Sequence, residues 1–247
     1  MRIAVLSDIH GNLEALHACL DNARARGADR IVLLGDLVGY GADPVAVLDI
    51  AMEEVSRGAI ALLGNHDEAA IRDGATGMND MAAAAIAWTR AQLNDAQRDF
   101  IAGLPLSVEE EGRLYVHAEA SAPSRWRYVT DSEAARRSME ASNAHATFCG
   151  HVHKPALYSL GDTGKLTGFR PVAAAPVPLG HGRSWLAVLG AVGQPRDGDP
   201  AACYLMIDTL PLQATWLRVP YDVAAAAAKI RAAGLPVGLA ERLFVGR

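Results

Sequence analysis

The feature that most constrains this chain is a set of short apolar runs that do not alternate with polar residues. They are "RIAVL" (Arg2 to Leu6), "RIVLL" (Arg30 to Leu34), "AIALL" (Ala59 to Leu63), "RLYVH" (Arg113 to His117) and "ATFCG" (Ala146 to Gly150). Unbroken apolarity over such short lengths fits strands covered on both faces, and helix-length stretches separate most of the runs. The pattern predicts a layered α/β fold.

Two of the intervening stretches carry clear helix punctuation. "NLEALHACLDNARARG" opens on Asn12 as N-cap, places Leu13, Leu16, Leu20 and Ala23 on one face and stops at Gly27. "DPVAVLDIAMEEVSRG" repeats the plan from Asp43 and Pro44 to Gly58. A third region, about Asp80 to Gly103, is alanine-rich with Trp88, Leu93 and Phe100 as anchors. Beyond Lys154 the texture changes: a hairpin is expected around Gly161 to Gly164, and "SWLAVLGAV", "AACYLMIDT" and "ATWLRVPY" are strand-like pieces between glycine- and proline-rich turns. A second, antiparallel sheet is the expected use of these pieces. The tail predicts a helix from about Asp222 to Gly234 and a short helical piece after it. Without an internal repeat or a long linker, residues 1–247 read as one two-layer domain.

Composition narrows the partners. The 247 residues are 51% hydrophobic and 21% charged with a net charge of -5, which argues against disorder and against a strongly basic nucleic-acid surface. A small-molecule partner is expected and nucleic acid is disfavoured; a homo-oligomer is compatible with the sequence. No apolar run reaches the roughly 18 residues of a membrane span, and "MRIAVLSDIH" meets Ser7 and Asp8 too early for a signal peptide, so a cytoplasmic protein without a membrane partner is expected. Cys19, Cys149 and Cys203 lie far apart among apolar neighbours, as buried reduced thiols do.

Each of the five runs ends in polar residues of one kind. The ends are "SDIHGN" with Asp8 and His10, "GDLVGYG" with Asp36, "GNHDE" with Asn65, His66 and Asp67, "VHAEA" with His117, and "GHVHKP" with His151 and His153. Five of the eight histidines fall there, leaving only His17, His145 and His181 elsewhere. Ligands of open α/β sheets bind outside the carboxyl ends of the strands, where these residues would converge. Singly, each has a plain alternative: a turn, a helix cap or a satisfied polar side chain. Together they form a carboxylate, amide and imidazole set without thiolate, suited to Mn, Fe, Zn, Co or Ni, and seven donors fit two ions better than one.

The ordered series D-x-H, G-D, G-N-H-D, H and G-H-x-H resembles the calcineurin-like metallophosphoesterase superfamily, in particular its small bacterial and archaeal phosphodiesterase-like branch. "GAVGQPRDGDP" (Gly190 to Pro200) is similar to that branch as well, so the resemblance covers most of the chain. It implies a four-layer α-β-β-α sandwich of two facing mixed sheets flanked by helices. It further implies one divalent metal on Asp8, His10 and His153 and a second on Asn65, His117 and His151, with Asp36 bridging. The implied activity is hydrolysis of a small phosphate ester or nucleotide by a hydroxide held between the metals. His66 is implied to touch the phosphoryl oxygens or to protonate the leaving oxygen. Asp67 either holds His66 or caps a helix over "EAAIRDG".

An H-x-H segment past a strand end, with Gly150 freeing the backbone, would turn both rings to one site. Arg125, Arg127 and Arg196 are candidate phosphate contacts, and Tyr40, Trp126 or Tyr128 candidate base-stacking partners, against the alternative of surface arginines and core aromatics. The chain departs from many relatives at Ala118 and Glu119 and at Val188 to Ala191. Lacking the G-D-x-x-D-R-G and G-N-H-E motifs, it is set apart from phosphoprotein and symmetrical dinucleoside tetraphosphate hydrolases. A non-catalytic scaffold of the same fold and a nuclease are the competing readings. Retention of every ligand opposes the first, and the acidic balance opposes the second.

Overall fold

The structure, a computed structural model, describes residues 1–72 and 78–247. Its first half runs β1 (Arg2–Leu6), α1 (Leu13–Ala25), β2 (Arg30–Leu33), α2 (Pro44–Ser56), β3 (Ile60–Ala61), α3 (Asn65–Ile71), α4 (Asp80–Gln92), α5 (Asp95–Ala102), β4 (Ser107–Glu110) and β5 (Arg113–Val116). The second half runs α6 (Ser132–Glu140), β6 (Ala146–Cys149), β7 (Ala156–Gly161), β8 (Leu166–Phe169), β9 (Val177–Pro178), β10 (Arg183–Val188), β11 (Ala202–Thr209), β12 (Leu212–Val219), α7 (Val223–Ala232) and α8 (Val237–Glu241).

All five apolar runs form strands, and they are shared between two six-stranded mixed sheets. The first has the order β3-β2-β1-β11-β12-β9 and the second β4-β5-β6-β10-β7-β8. β1, β2 and β3 pair in parallel, as do β5, β6 and β10. The late strands build no separate antiparallel sheet. β11 runs antiparallel beside β1, from Arg2 opposite Asp208 to Val5 opposite Leu205, while β10 and β7 extend the second sheet. The reason is that β1 and β6 each have a second edge, and a buried edge must find backbone partners.

Side-chain alternation then sets the layers. Ile3 and Val5 of β1 face the space between the sheets, joining Tyr115, Phe148, Leu205, Ile207 and Trp216 in a core drawn from both. Ala4 and Leu6 face the other way, against Leu16, Cys19 and Leu20 of α1 and Val47 and Leu48 of α2. The second sheet turns Val116, Leu186 and Val188 outward onto Ala134, Ala135 and Met139 of α6. Each sheet thus has two apolar faces to cover, and a two-layer arrangement gives way to the four-layer α-β-β-α sandwich.

Asn12 caps α1 through a bond from Ala15 N (3.1 Å). The Asp80 to Gly103 region divides into α4 and α5, because Asn94 starts a new helix in reciprocal hydrogen bonds with Gln97. All three cysteines are free and buried. No helix among the described residues is long and apolar enough to cross a membrane.

Candidate metal centre

Because β1, β2 and β3 are parallel in one sheet and β5 and β6 in the other, the loops at their carboxyl ends gather. Asp8 and His10 leave β1, Asp36 leaves β2, Asn65 and His66 open α3 beyond β3, His117 leaves β5, and His151 and His153 follow β6. Residues of the two sheets meet here: the His117 ring donates from Nδ1 to Leu34 O (2.9 Å), and His151 N donates to both carboxylate oxygens of Asp8 (3.2 and 3.0 Å). The Gly190 to Pro200 segment closes over the β1 loop, with Val192 N and Gly193 N donating to Ser7 O and Asp8 O at 2.9 Å each.

The backbone here is held in conformations that L residues seldom take. Asp8, His10, Asp36, His151 and His153 have φ of 56°, 51°, 52°, 66° and 62°. Such positions cost on the order of 1–3 kcal/mol each and persist only where packing enforces them. The histidines themselves, not Gly150, supply the left-handed turns of the H-x-H segment. What demands glycine at 150 is close approach, since a Cβ would lie 1.8 Å from Ser7 Oγ and 2.6 Å from Asp8 Oδ2.

The cluster is buried: Asp8 and His117 are 0% exposed, His10 and Asp36 1%, His153 2% and His151 5%. Outside it, four ring nitrogens meet backbone carbonyls: His10 Nδ1 and Val38 O (3.1 Å), His117 Nδ1 and Leu34 O (2.9 Å), His151 Nε2 and Trp126 O (3.0 Å), His153 Nδ1 and Gln194 O (2.7 Å). A carbonyl can only accept, so these nitrogens carry the protons and the opposite nitrogen of each neutral ring is a lone pair. Those lone pairs face one another. His10 Nε2 lies 3.2 Å from His153 Nε2, and His117 Nε2 lies 3.2 Å from both His151 Nδ1 and Asn65 Oδ1.

Between them sits Asp36. Its Oδ2 is 3.6 Å from His10 Nε2 and 3.4 Å from His117 Nε2, while Asp8 Oδ1 is 3.2 Å from His153 Nε2. Asp8, His10 and His153 form one group able to hold a metal, and Asp36, His117 and His151 another. Facing nitrogens and carboxylates in a buried pocket need a cation between them, a proton as on His117 or a metal ion, so the donor set fits divalent metal.

Ionisation of the cluster's side chains follows the same geometry. Burial opposes charge on Asp36, yet the facing His117 imidazolium holds the carboxyl well below the usual range. His117 is pushed up to about 9: burial opposes this and the Asp36 carboxylate overcomes it. Burial, then the neighbouring His117, lowers His151 to about 4.

His66, 5% exposed, packs its ring against Tyr40 and His10 at centroid distances of 4.5 and 4.8 Å, and its Nδ1 has no hydrogen-bond partner. Asp67 does not hold it. The Asp67 carboxylate accepts from Val38 N (3.1 Å) and Gly64 N (3.0 Å), tying the Asp36 loop to the start of α3, so the capping alternative describes its contacts better. Burial, then the charge of Asp36, pushes Asp67 up to about 7. Of the expected "EAAIRDG" stretch, Glu68 to Ile71 are helical, and Asp73 and Gly74 lie outside the described residues.

The three aromatics rim the cluster, and Tyr40, 7% exposed, also packs into a core with Ala226, Ile230 and Leu239. Tyr128 stacks on His151 (4.1 Å between centroids, 10° between planes), Trp126 meets His117 edge-on at 5.8 Å, and Tyr40 lies 4.6 Å from His10. Arg196 places its guanidinium carbon 5.6 Å from the centre of the Tyr40 ring. Arg125 is exposed on a 3-10 turn, and Arg127 turns to Glu119 at 4.0 Å. The buried Glu119 carboxylate accepts from Ser121 N and Ser121 Oγ (2.8 Å each), and its N–H donates to Arg127 O, shaping the loop that carries Trp126 and Tyr128.

Two sheets meeting at buried aspartates and inward-turned imidazoles define a metal-binding α/β protein. Residues 1–210 match the family described as the calcineurin-like phosphoesterase superfamily domain, and the chain belongs to that superfamily. An uncharacterised protein of Methanocaldococcus jannaschii is 34% identical over 250 residues, 99% of this chain and 98% of its own. The crystal structure of a metallophosphoesterase from Sphaerobacter thermophilus is similar at a TM-score of 0.88 and 32% identity, covering 100% of this chain and 99% of that one. A hypothetical protein from Pyrococcus horikoshii shares the fold at a TM-score of 0.79 and 18% identity, covering 100% and 98%. Family membership supports a phosphoester hydrolase that uses divalent metal.

Proposed function

We propose that this chain hydrolyses a small phosphodiester or phosphomonoester at a dinuclear metal centre, residues 1–247 acting as one domain. Asp8, His10 and His153 would hold one ion, and Asn65, His117 and His151 the other. Asp36, whose Oδ1 accepts from His66 N (2.8 Å), would be shared between the two sites. The observation that supports this most is the convergence of four imidazole nitrogens on the buried carboxylates of Asp8 and Asp36. Manganese, iron, zinc, cobalt and nickel all suit these donors. When bound, two such ions supply Lewis acidity that activates water and neutralises charge on the phosphoryl group during in-line displacement.

The chain's own residues do the rest. Burial lowers the proton affinity of His66, so its ring is neutral before substrate enters and donates one N–H to a phosphoryl oxygen. The arriving negative charge raises that affinity, so that His66 takes up a proton from solvent and passes it to the leaving oxygen. Asp67 keeps the Asp36 loop and the start of α3 in register. Tyr40, Trp126 and Tyr128 provide walls for an ester group, with Arg196 at their edge and Arg125 and Arg127 as outer phosphate contacts.

Hydrolysis of bis(p-nitrophenyl) phosphate is expected with added manganese and is expected to cease with a chelator. A fully metallated protein inert toward phosphodiesters and phosphomonoesters would overturn the proposal.

A further inference from the structure

Next to the cluster, two arginines share one acceptor. The side-chain oxygen of Gln194, a residue only 2% exposed, accepts from Arg196 Nε (3.3 Å), Arg196 Nη2 (2.9 Å) and Arg242 Nη1 (3.1 Å). The backbone oxygen of Gln194 accepts from His153 Nδ1, so one buried residue links both guanidinium groups to the cluster. Among the described residues neither arginine has a carboxylate within ion-pair distance, whereas nearby Arg170 and Arg218 both meet Asp197. Like charges held side by side are costly unless an anion joins them.

The surroundings fit an anion of more than one charge. Arg196 lies over Tyr40, whose ring touches His10 and His66, so the pair stands one aromatic ring from the reacting centre. From Arg196 an open cleft of about 750 Å³ continues past Lys154 and Arg170. The acid lining that cleft, Asp197, is already shared by Arg170 and Arg218, so the cleft is cationic on a chain whose net charge is -5.

We propose that Arg196 and Arg242 form a second anion subsite, so that the natural substrate is a phosphate ester carrying a further phosphoryl group. This rests on the hydrolase reading above for the position of the scissile phosphate. A terminal phosphoryl group carries close to two negative charges near neutral pH and offers three oxygens to two planar forks; a carboxylate offers one charge and two oxygens.

The test is calorimetric titration of the manganese-loaded protein with adenosine 5′-monophosphate and adenosine 3′,5′-bisphosphate. Wild type is expected to bind the bisphosphate about tenfold tighter or better, as one added charge-assisted contact provides, with the advantage shrinking as salt rises. Arg242→Gln and Arg196→Gln are each expected to abolish that ratio. Arg242→Lys, which keeps the charge and loses the fork, should retain part of it with an unchanged melting temperature. Equal affinities in wild type, or a ratio untouched in both glutamine variants, would overturn the inference. Affinity and turnover are scored separately, so a bisphosphate advantage in a protein that hydrolyses no ester would refute the hydrolase reading and support the subsite.

Discussion

Gly193→Ala is the sharpest perturbation the fold offers, because it acts on the cluster without touching any side chain in it. A Cβ at 193 would lie 1.7 Å from Ile9 O, against the 3.0 Å that Cβ contacts keep, so the two loops must part by about 1.3 Å. The two nearest atoms, Ile9 O and Ile9 C, are backbone and cannot rotate away. The bond from Gly193 N to Asp8 O and that from Asn12 Nδ2 to Gly193 O would be strained together. Overpacking of this kind costs roughly 1–3 kcal/mol. Asp8 and His10 sit on either side of Ile9, and metal sites tolerate about 0.2 Å of ligand displacement, so a loss of about 10–100-fold in metal affinity is expected. Thermal melting and metal titration of the variant give both numbers. Gly180→Ala serves as the control: nothing lies within 4 Å of its Cβ, and an effect within about 0.5 kcal/mol is expected. If Gly193→Ala melts and binds metal like wild type, the clasp of this loop on the β1 end does not position the cluster.

His66→Asn should lower kcat by about 10²–10⁴-fold with metal content unchanged, measured by turnover and elemental analysis on one preparation; metal loss equal to that of Asp36→Asn would contradict its role. Asp67→Ala leaves Val38 N and Gly64 N without their acceptor, at about 1–3 kcal/mol per group, so its melting temperature should fall further than that of Asp67→Asn. In the metal-free protein His117, pushed up to about 9, is protonated at neutral pH and must release its proton to bind metal. Affinity should therefore rise with pH until about 9, and calorimetry in buffers of different ionisation enthalpy should detect proton release at pH 7.

The sequence exposes the strands and the polar residues at their ends for a physical reason. A strand covered on both faces cannot alternate, and a histidine or aspartate just past it has little packing use. The helices α1 and α2 were legible through their punctuation. β4, with the sequence SVEE, was not, because a charged edge strand carries neither apolarity nor propensity; its pairing with β5 is seen only in the fold. Nor could the runs show that β11 lies beside β1, since pairing across 200 residues leaves no local trace.

Within the site, the side chains were readable and their supports were not. The acceptors that fix the imidazoles are backbone carbonyls of Leu34, Val38, Trp126 and Gln194, which any residue type could supply. Gln194 stands in the "GQPRDG" segment that the sequence marks out, whereas Arg242 follows α8 in a stretch with no motif. For Asp67 adjacency to His66 left two alternatives, and its bonds to Val38 N and Gly64 N are those of the helix start.

Elemental analysis of wild type and Asp36→Asn after exhaustive dialysis against limiting manganese bears most directly on the shared metal centre. Two ions per chain in wild type, falling to one or none in the variant, is the expected result. A single ion in wild type, or two retained without the Asp36 carboxylate, would contradict it.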